Sequence, residues 1–279
     1  MTRSPRPTRY RWLAAVAVAA TTLVTAACGG GSGAEAGGEL KVGIDLTYPP
    51  YDMMENGKPA GFDVEFVDAL AAKMDMTASY QDVRFAQLIQ GLKGNRYDMV
   101  ASTLYFSAER LQQVDMVPYF QTGSAIIVPA GENGITSPAD LCGKAVGALT
   151  GSVHYDKVAE TVPADCQKAG KPPVQAKEFP TDPEATSAMR AGQVQATVTD
   201  AAVAADVVKS SNGALKLATD ELLWPVAVGL AVNKGNTELA GRIEQAIEAM
   251  KSDGSYDRLL KKYGIAPVNP QVLEASKAG

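Results

Sequence analysis

Two short apolar segments, SAIIVP (124–129) and VAVGLAV (226–232), constrain this chain more than any other feature. Each reads as a buried strand, and the two resemble each other in composition. They bracket a stretch in which strand and helix patterns alternate, and a similar alternation precedes the first of them. Alternation of this kind implies α/β sheets with covered faces. Two such series joined by two apolar strands imply two lobes, a pair of crossovers and a cleft between.

The first series opens with LKVGI (40–44), which alternates apolar and polar residues and ends at Asp45. PPYDMMENGKPAGFD reads as a hairpin whose tight turn is NGK (56–58). The following helix places Phe66, Val67, Leu70, Ala71 and Met74 on one face. TASYQDV (77–83) is a strand, FAQLIQGL (85–92) a helix and YDMVAST (97–103) a strand. The second series runs KAVGAL (144–149), a helix near 152–162, VQAKEF (174–179), a helix near 183–192 and VQATV (195–199). Residues 236–254 form a helix with Leu239, Ile243, Ile247 and Met250 on one face, and Gly254 suits its C-terminal cap.

Residues 1–27 stand apart from this body. Arg3, Arg6, Arg9 and Arg11 precede WLAAVAVAATTLV, an apolar stretch too short to span a bilayer, and small residues lead to Cys28. This is the pattern of a secretory signal, and a cysteine at that point is the acylated first residue of a bacterial lipoprotein, although Thr25 stands where such signals usually carry Leu. GGGSGAEAGG (29–38) is then a flexible tether. The leader holds four basic residues and no acidic one, so the remainder carries 22 basic and 31 acidic residues, a net charge of −9. Such a body is unsuited to nucleic acid or an anionic membrane surface.

With Cys28 assigned to the anchor, Cys142 and Cys166 remain. Outside the cytoplasm a disulfide between them is the economical reading, contributing roughly 3 kcal/mol by loop closure; two buried free thiols are the alternative. One histidine, His154, and no Cys–His cluster argue against a metal site. His154 reads most simply as a surface helix residue, and no cofactor is indicated.

In STLYFSAER (102–110), Ser107 reads as a helix N-cap, which puts Arg110 in the first helical turn. A cation is disfavoured at that end of the helix dipole, so a partner must hold it there. A guanidinium beside free helix N–H groups suits a carboxylate taken with two parallel hydrogen bonds. Pairing with Asp115 is the bland alternative.

The order of motifs resembles the bacterial extracellular solute-binding proteins of family 3, the receptors of polar amino-acid ABC importers. VGIDLTYPPYDMMENGKPAGFDVEFVDALAAKM is similar to the family's opening. GLKGNRYDMVASTLYFSAERLQQVDMVPYF is similar to its next block, AMRAGQVQATVTDAAVA to its second-lobe block, and NTELAGRIEQAIEAMKSDGSYDRLLKKYG to its C-terminal block. The resemblance spans residues 39–265. It implies a two-lobe type II periplasmic-binding fold with two crossover hinge strands and a central cleft. Lobe 1 is then 39–126 plus 229–279, and lobe 2 is 127–228, with 1–27 the signal peptide and 28–38 the tether.

The resemblance makes Arg110 the clamp on the ligand's α-carboxylate and Asp200 the acceptor of its α-ammonium, where an N-cap is the plainer role for Asp200. Asp45 matches an acidic position facing basic or polar ligand groups, unless it merely stabilises a turn. Thr103 and Ser152 match small polar contacts, though both also suit caps. Tyr48 and Phe85 match the two positions that sandwich the ligand. Tyr105 departs from the Ser or Thr common five residues before the arginine. It either adds a third aromatic face, suited to a diffuse cation, or packs inside the first lobe. The resemblance thus implies a lipid-anchored extracytoplasmic receptor, monomeric, with an amino-acid-like ligand and an ABC permease as partner, and no enzyme activity. The rival readings are a cyclohexadienyl or arogenate dehydratase-like enzyme on the same fold, or a ligand-sensing subunit.

Overall fold

The computed structural model describes residues 37–278, so the leader and Cys28 lie outside the described residues. The chain runs β1 (Glu39–Ile44), β2 (Thr47–Tyr48), β3 (Asp52–Glu55), β4 (Lys58–Ala60), α1 (Phe62–Lys73), β5 (Thr77–Asp82), α2 (Leu88–Lys93), β6 (Met99–Val100), α3 (Ala108–Gln113) and β7 (Val114–Pro129). It continues with β8 (Ala145–Leu149), α4 (Val153–Asp156), α5 (Val162–Lys168), β9 (Gln175–Phe179), α6 (Asp182–Arg190), β10 (Ala196–Asp200), α7 (Ala201–Ser210), β11 (Leu215–Leu217) and β12 (Leu223–Asn233). Helices α8 (Thr237–Ser252), α9 (Ser255–Tyr263) and α10 (Pro270–Ala278) close the chain.

Nine strands form one curled sheet in the order β5-β1-β6-β12-β7-β10-β8-β9, with β11 on β7, and β2, β3 and β4 form a separate meander. In that meander Asn56 (φ 51°) and Gly57 (φ 76°) make the tight turn, the left-handed pair that Asn-Gly supplies at little cost. The apolar segment 124–129 is the second half of a 16-residue strand that starts at Val114. Its first half pairs antiparallel with β12, from Val114↔Asn233 to Thr122↔Val226. Its second half pairs with β10, from Ser124↔Asp200 to Ile127↔Thr197. The two long strands β7 and β12 therefore cross between the halves of the sheet, and Ser124 is the junction, facing Asp200 on one side and Leu223 on the other.

Each half has its own apolar filling. Phe62, Phe66, Val67 and Leu70 from α1 meet Ile243, Ile247 and Met250 from α8 over β1, β6 and β12. Ile126, Val128, Leu141, Val146, Val158, Cys166 and Val198 fill the second half. Full burial of each large side chain contributes on the order of 1.5–3 kcal/mol, so the predicted helix faces are where stability resides. Cys142 and Cys166 are bonded, Cα atoms 5.6 Å apart, tying α5 to the loop before β8. The helix expected near 152–162 runs on to Lys168 with a widened turn at 157–161, just before Pro163, which has no N–H to continue the α-helical ladder.

Candidate functional site

Ser107 caps α3 as its sequence implies, its Oγ accepting the Arg110 N–H at 3.2 Å, and this sets Arg110 in the first turn. Arg110 is 7% exposed. Its guanidinium donates to the Tyr105 carbonyl at 2.8 Å and, across to the other half of the molecule, to the Gly151 carbonyl at 2.9 Å. Its carbon lies 5.5 Å from the Phe85 ring centroid. Among the described residues no carboxylate pairs with it; Asp115 is instead held by Lys234 at 2.7 Å. Burial lowers its pKa to about 10, so it remains a cation at neutral pH. Two backbone carbonyls satisfy two of its donors without neutralising its charge, which leaves a buried cation ready for an anion.

Around it lies a narrow cleft, nearly filled by its own walls and lined by Tyr48, Phe85, Thr103, Tyr105, Arg110, Leu149, Ser152, Val153 and His154. Six of these are residues that the sequence marks as site candidates. Tyr105 faces the cavity while its neighbour Phe106 packs under Gly229, where an added Cβ would sit 2.6 Å from the phenyl ring. Thr103 has φ 45°, a conformation a β-branched residue rarely takes. It is held there by Asp63, whose Oδ2 accepts both its N–H (2.7 Å) and its hydroxyl (3.1 Å). Ser152 caps α4, its hydroxyl donating to the Leu149 carbonyl (2.6 Å) and accepting the Tyr155 N–H (3.1 Å).

His154 is a correction. It lies not on the surface but is 3% exposed, because the short helix begun by Ser152 turns its first residues into the cleft. Its Nδ1 is 2.8 Å from the Ser124 hydroxyl, its Nε2 3.3 Å from the Tyr48 hydroxyl, and its ring meets Tyr105 edge-on at 4.9 Å. Burial, reinforced by the Arg110 charge, pushes its pKa down to about 3, so the ring is neutral.

The two predicted carboxylates stand behind the wall rather than in it. Asp45 is paired with Arg84 at 2.8 Å, and accepts the Thr47 hydroxyl (2.7 Å) and the Phe85 N–H (2.7 Å). Burial raises its pKa against these three partners. Asp200 is fully buried and does cap α7, its Oδ1 accepting the Ala202 N–H at 2.7 Å. It also accepts hydroxyls from Tyr51, Tyr105 and Thr122. Burial raises its pKa and these four donors offset part of the rise. The Tyr48 hydroxyl reaches across to Thr199 (3.1 Å) and the Asp200 N–H (3.2 Å). A wider groove beside the disulfide, lined by Pro138, Val162 and Trp224 among others, shares none of the cavity's residues.

The chain matches bacterial extracellular solute-binding proteins, family 3, over residues 40–266. It belongs to that family. This solute-binding protein is 31% identical over 229 residues to the L-cystine-binding protein TcyJ of Escherichia coli (strain K12), covering 81% of this chain and 82% of the relative. It is 31% identical over 232 residues to an L-arginine-binding protein of Pseudomonas aeruginosa, covering 80% and 87%. Among solved structures, an ancestral arginine-binding protein bound to arginine is 36% identical, with a TM-score of 0.73 over 81% of this chain and 97% of that one. The sheet order and the two crossing strands are thus those of a type II periplasmic-binding fold. No helix among the described residues is long and apolar enough to cross a membrane.

Sequence reasoning passed over Arg84, Asp63 and Asp182 and placed His154 on the surface. Only His154 carried a local signal: it is the sole histidine and lies two residues beyond a predicted cleft serine.

Proposed function

We propose that this protein is the receptor of an ABC importer, capturing an amino acid or amino-acid-like zwitterion or cation by closure of its two lobes. The observation that carries the reading is Arg110, a buried guanidinium without a carboxylate, set between the halves of the molecule. It takes the ligand's carboxylate as a two-pronged donor. Tyr48, Phe85 and Tyr105 wall the rest of the ligand, Thr103 and Ser152 shape the carboxylate end, and Asp200 supplies the negative field toward a positive nitrogen. Asp45, neutralised by Arg84, orders the Phe85 backbone. Residues 39–126 with 229–279 and residues 127–228 form the lobes, and the rotation falls on the two crossing strands. Contacts that a bridging ligand makes only when both lobes face it shift the equilibrium toward the closed form. Residues 1–27 direct export, Cys28 carries the lipid, and the loaded form docks on a permease.

The test is calorimetric titration across the common L-amino acids and their derivatives, with wild type and Arg110→Ala. Hydrogen bonds to charged groups contribute about 1.5–3 kcal/mol each, so losing two weakens binding at least a hundredfold. Binding by Arg110→Ala within threefold of wild type would overturn the assignment.

A further inference from the structure

Asp200 is already surrounded. Its Oδ1 accepts the Tyr51 hydroxyl at 3.0 Å and the Ala202 N–H at 2.7 Å. Its Oδ2 accepts the Thr122 hydroxyl at 2.8 Å and the Tyr105 hydroxyl at 2.6 Å. A carboxylate offers about four acceptor positions, and donors of this chain use all of them. Of the four donors, only Tyr105 belongs to a residue lining the cavity. Its phenol carries the hydroxyl several ångströms further than a serine side chain could, so the contact with Asp200 follows from having Tyr at this position. Gly123 offers its carbonyl to the same hydroxyl at 3.1 Å and has no room for a side chain, since a Cβ there would meet the Leu223 carbonyl oxygen at 2.6 Å.

A ligand with a primary ammonium can reach Asp200 only by displacing the Tyr105 hydroxyl, exchanging a charge-assisted hydrogen bond of 2.6 Å for the longer, uncharged one to the Gly123 carbonyl. A nitrogen bearing no N–H has nothing to donate and loses nothing. Its diffuse charge suits aromatic surroundings, and Tyr48, Phe85 and Tyr105 line the cleft together with Arg110. We propose that Tyr105 is a specificity-determining residue that withholds Asp200 from primary ammonium groups, so that this receptor selects carboxylates whose nitrogen is fully substituted, of the betaine class. The inference rests on the Arg110 reading above and specifies its ligand.

Tyr105→Phe separates the hydroxyl from the ring and is the decisive variant. Wild type, Tyr105→Phe and Arg110→Ala are titrated with L-proline, L-histidine and L-alanine and with the fully N-methylated form of each. Wild type is expected to bind at least one methylated form ten or more times tighter than its parent. Tyr105→Phe, with Asp200 released, is expected to move that ratio at least tenfold toward the parent. The wild-type preference is read even if the variant folds poorly. A wild-type preference for the parent amino acids, or a ratio unchanged in Tyr105→Phe, overturns the inference while the Arg110 reading stands. If no carboxylate of either kind binds wild type, or if Arg110→Ala binds them as tightly, the underlying reading fails and takes this one with it.

Discussion

Asp182 begins α6 immediately after its Thr181 cap, a place where a helix dipole favours negative charge, yet its Oδ2 is buried without a hydrogen-bond partner. Burial holds its proton up to about pH 7; the Thr199 hydroxyl opposes this, and the Asp200 and Asp45 carboxylates add to it. In the unfolded chain an aspartate loses its proton near pH 3.9. Between those limits the folded protein binds more protons than the unfolded one, so stability falls as pH rises through the window. Holding a proton to about pH 7 instead of about 4 corresponds to roughly 4 kcal/mol, fully lost above pH 7. Asparagine has the same shape and no charge to desolvate. Asp182→Asn should therefore exceed wild type by about 1–2 kcal/mol at pH 5 and by about 4 kcal/mol at pH 8, the latter a gain of roughly 8–16 °C in Tm for a body of this size. Urea denaturation of both proteins at pH 5, 6, 7 and 8 reads the difference directly. Buried acids that do not interact with Asp182 titrate alike in both proteins and cancel. A difference that stays constant from pH 5 to pH 8 would refute the argument.

Asp63 accepts three hydrogen bonds, from Thr103 N–H and hydroxyl and from the Tyr119 hydroxyl, and an amide in its place keeps one acceptor oxygen. Asp63→Asn should cost about 2–4 kcal/mol in urea denaturation and weaken ligand binding tenfold or more by freeing the Thr103 turn; unchanged affinity would show that the turn holds itself. Its buried neighbour Asp52 has an oxygen without a partner and, beside Asp63, is pushed up in pKa by burial and by that charge, so Asp52→Asn should cost less than about 1 kcal/mol in the same measurement. Arg84→Gln removes the cation from Asp45 and should raise the affinity for ligands with a basic side chain several-fold by calorimetry, whereas equal affinities would show that Asp45 is out of reach of the ligand.

Features set within a few residues could be read directly from the sequence: the Ser107 cap, the Asn56-Gly57 turn, the faces of α1 and α8 and the αL glycine after α8. Those depending on distant partners could not. The strand β7 extends back to Val114 through Pro118, a residue that argues against a paired strand. It is accommodated because Pro118 faces Gly229 at a register shift in β12. Nothing local marks Tyr51 and Asp200, 149 residues apart, as partners, or Arg84 as the cation that Asp45 receives. His154 misled for the same reason: its burial comes from Tyr48 and Tyr105, more than 45 positions earlier.

The place of β12 in the sheet sets an order of assembly. Strand β6 has β1 on one side, but its other neighbour, at Val100↔Ala231, is made only after some 130 further residues have been translated. A chain emerging N-terminus first therefore carries its first half with an open strand edge, while the stretch between the crossings already holds nearly all of its own partners. Completion of the earlier half awaits the last third of the polypeptide, and such long-range pairing is slow to form. That delay keeps the earlier half from locking until the strand that closes it has emerged.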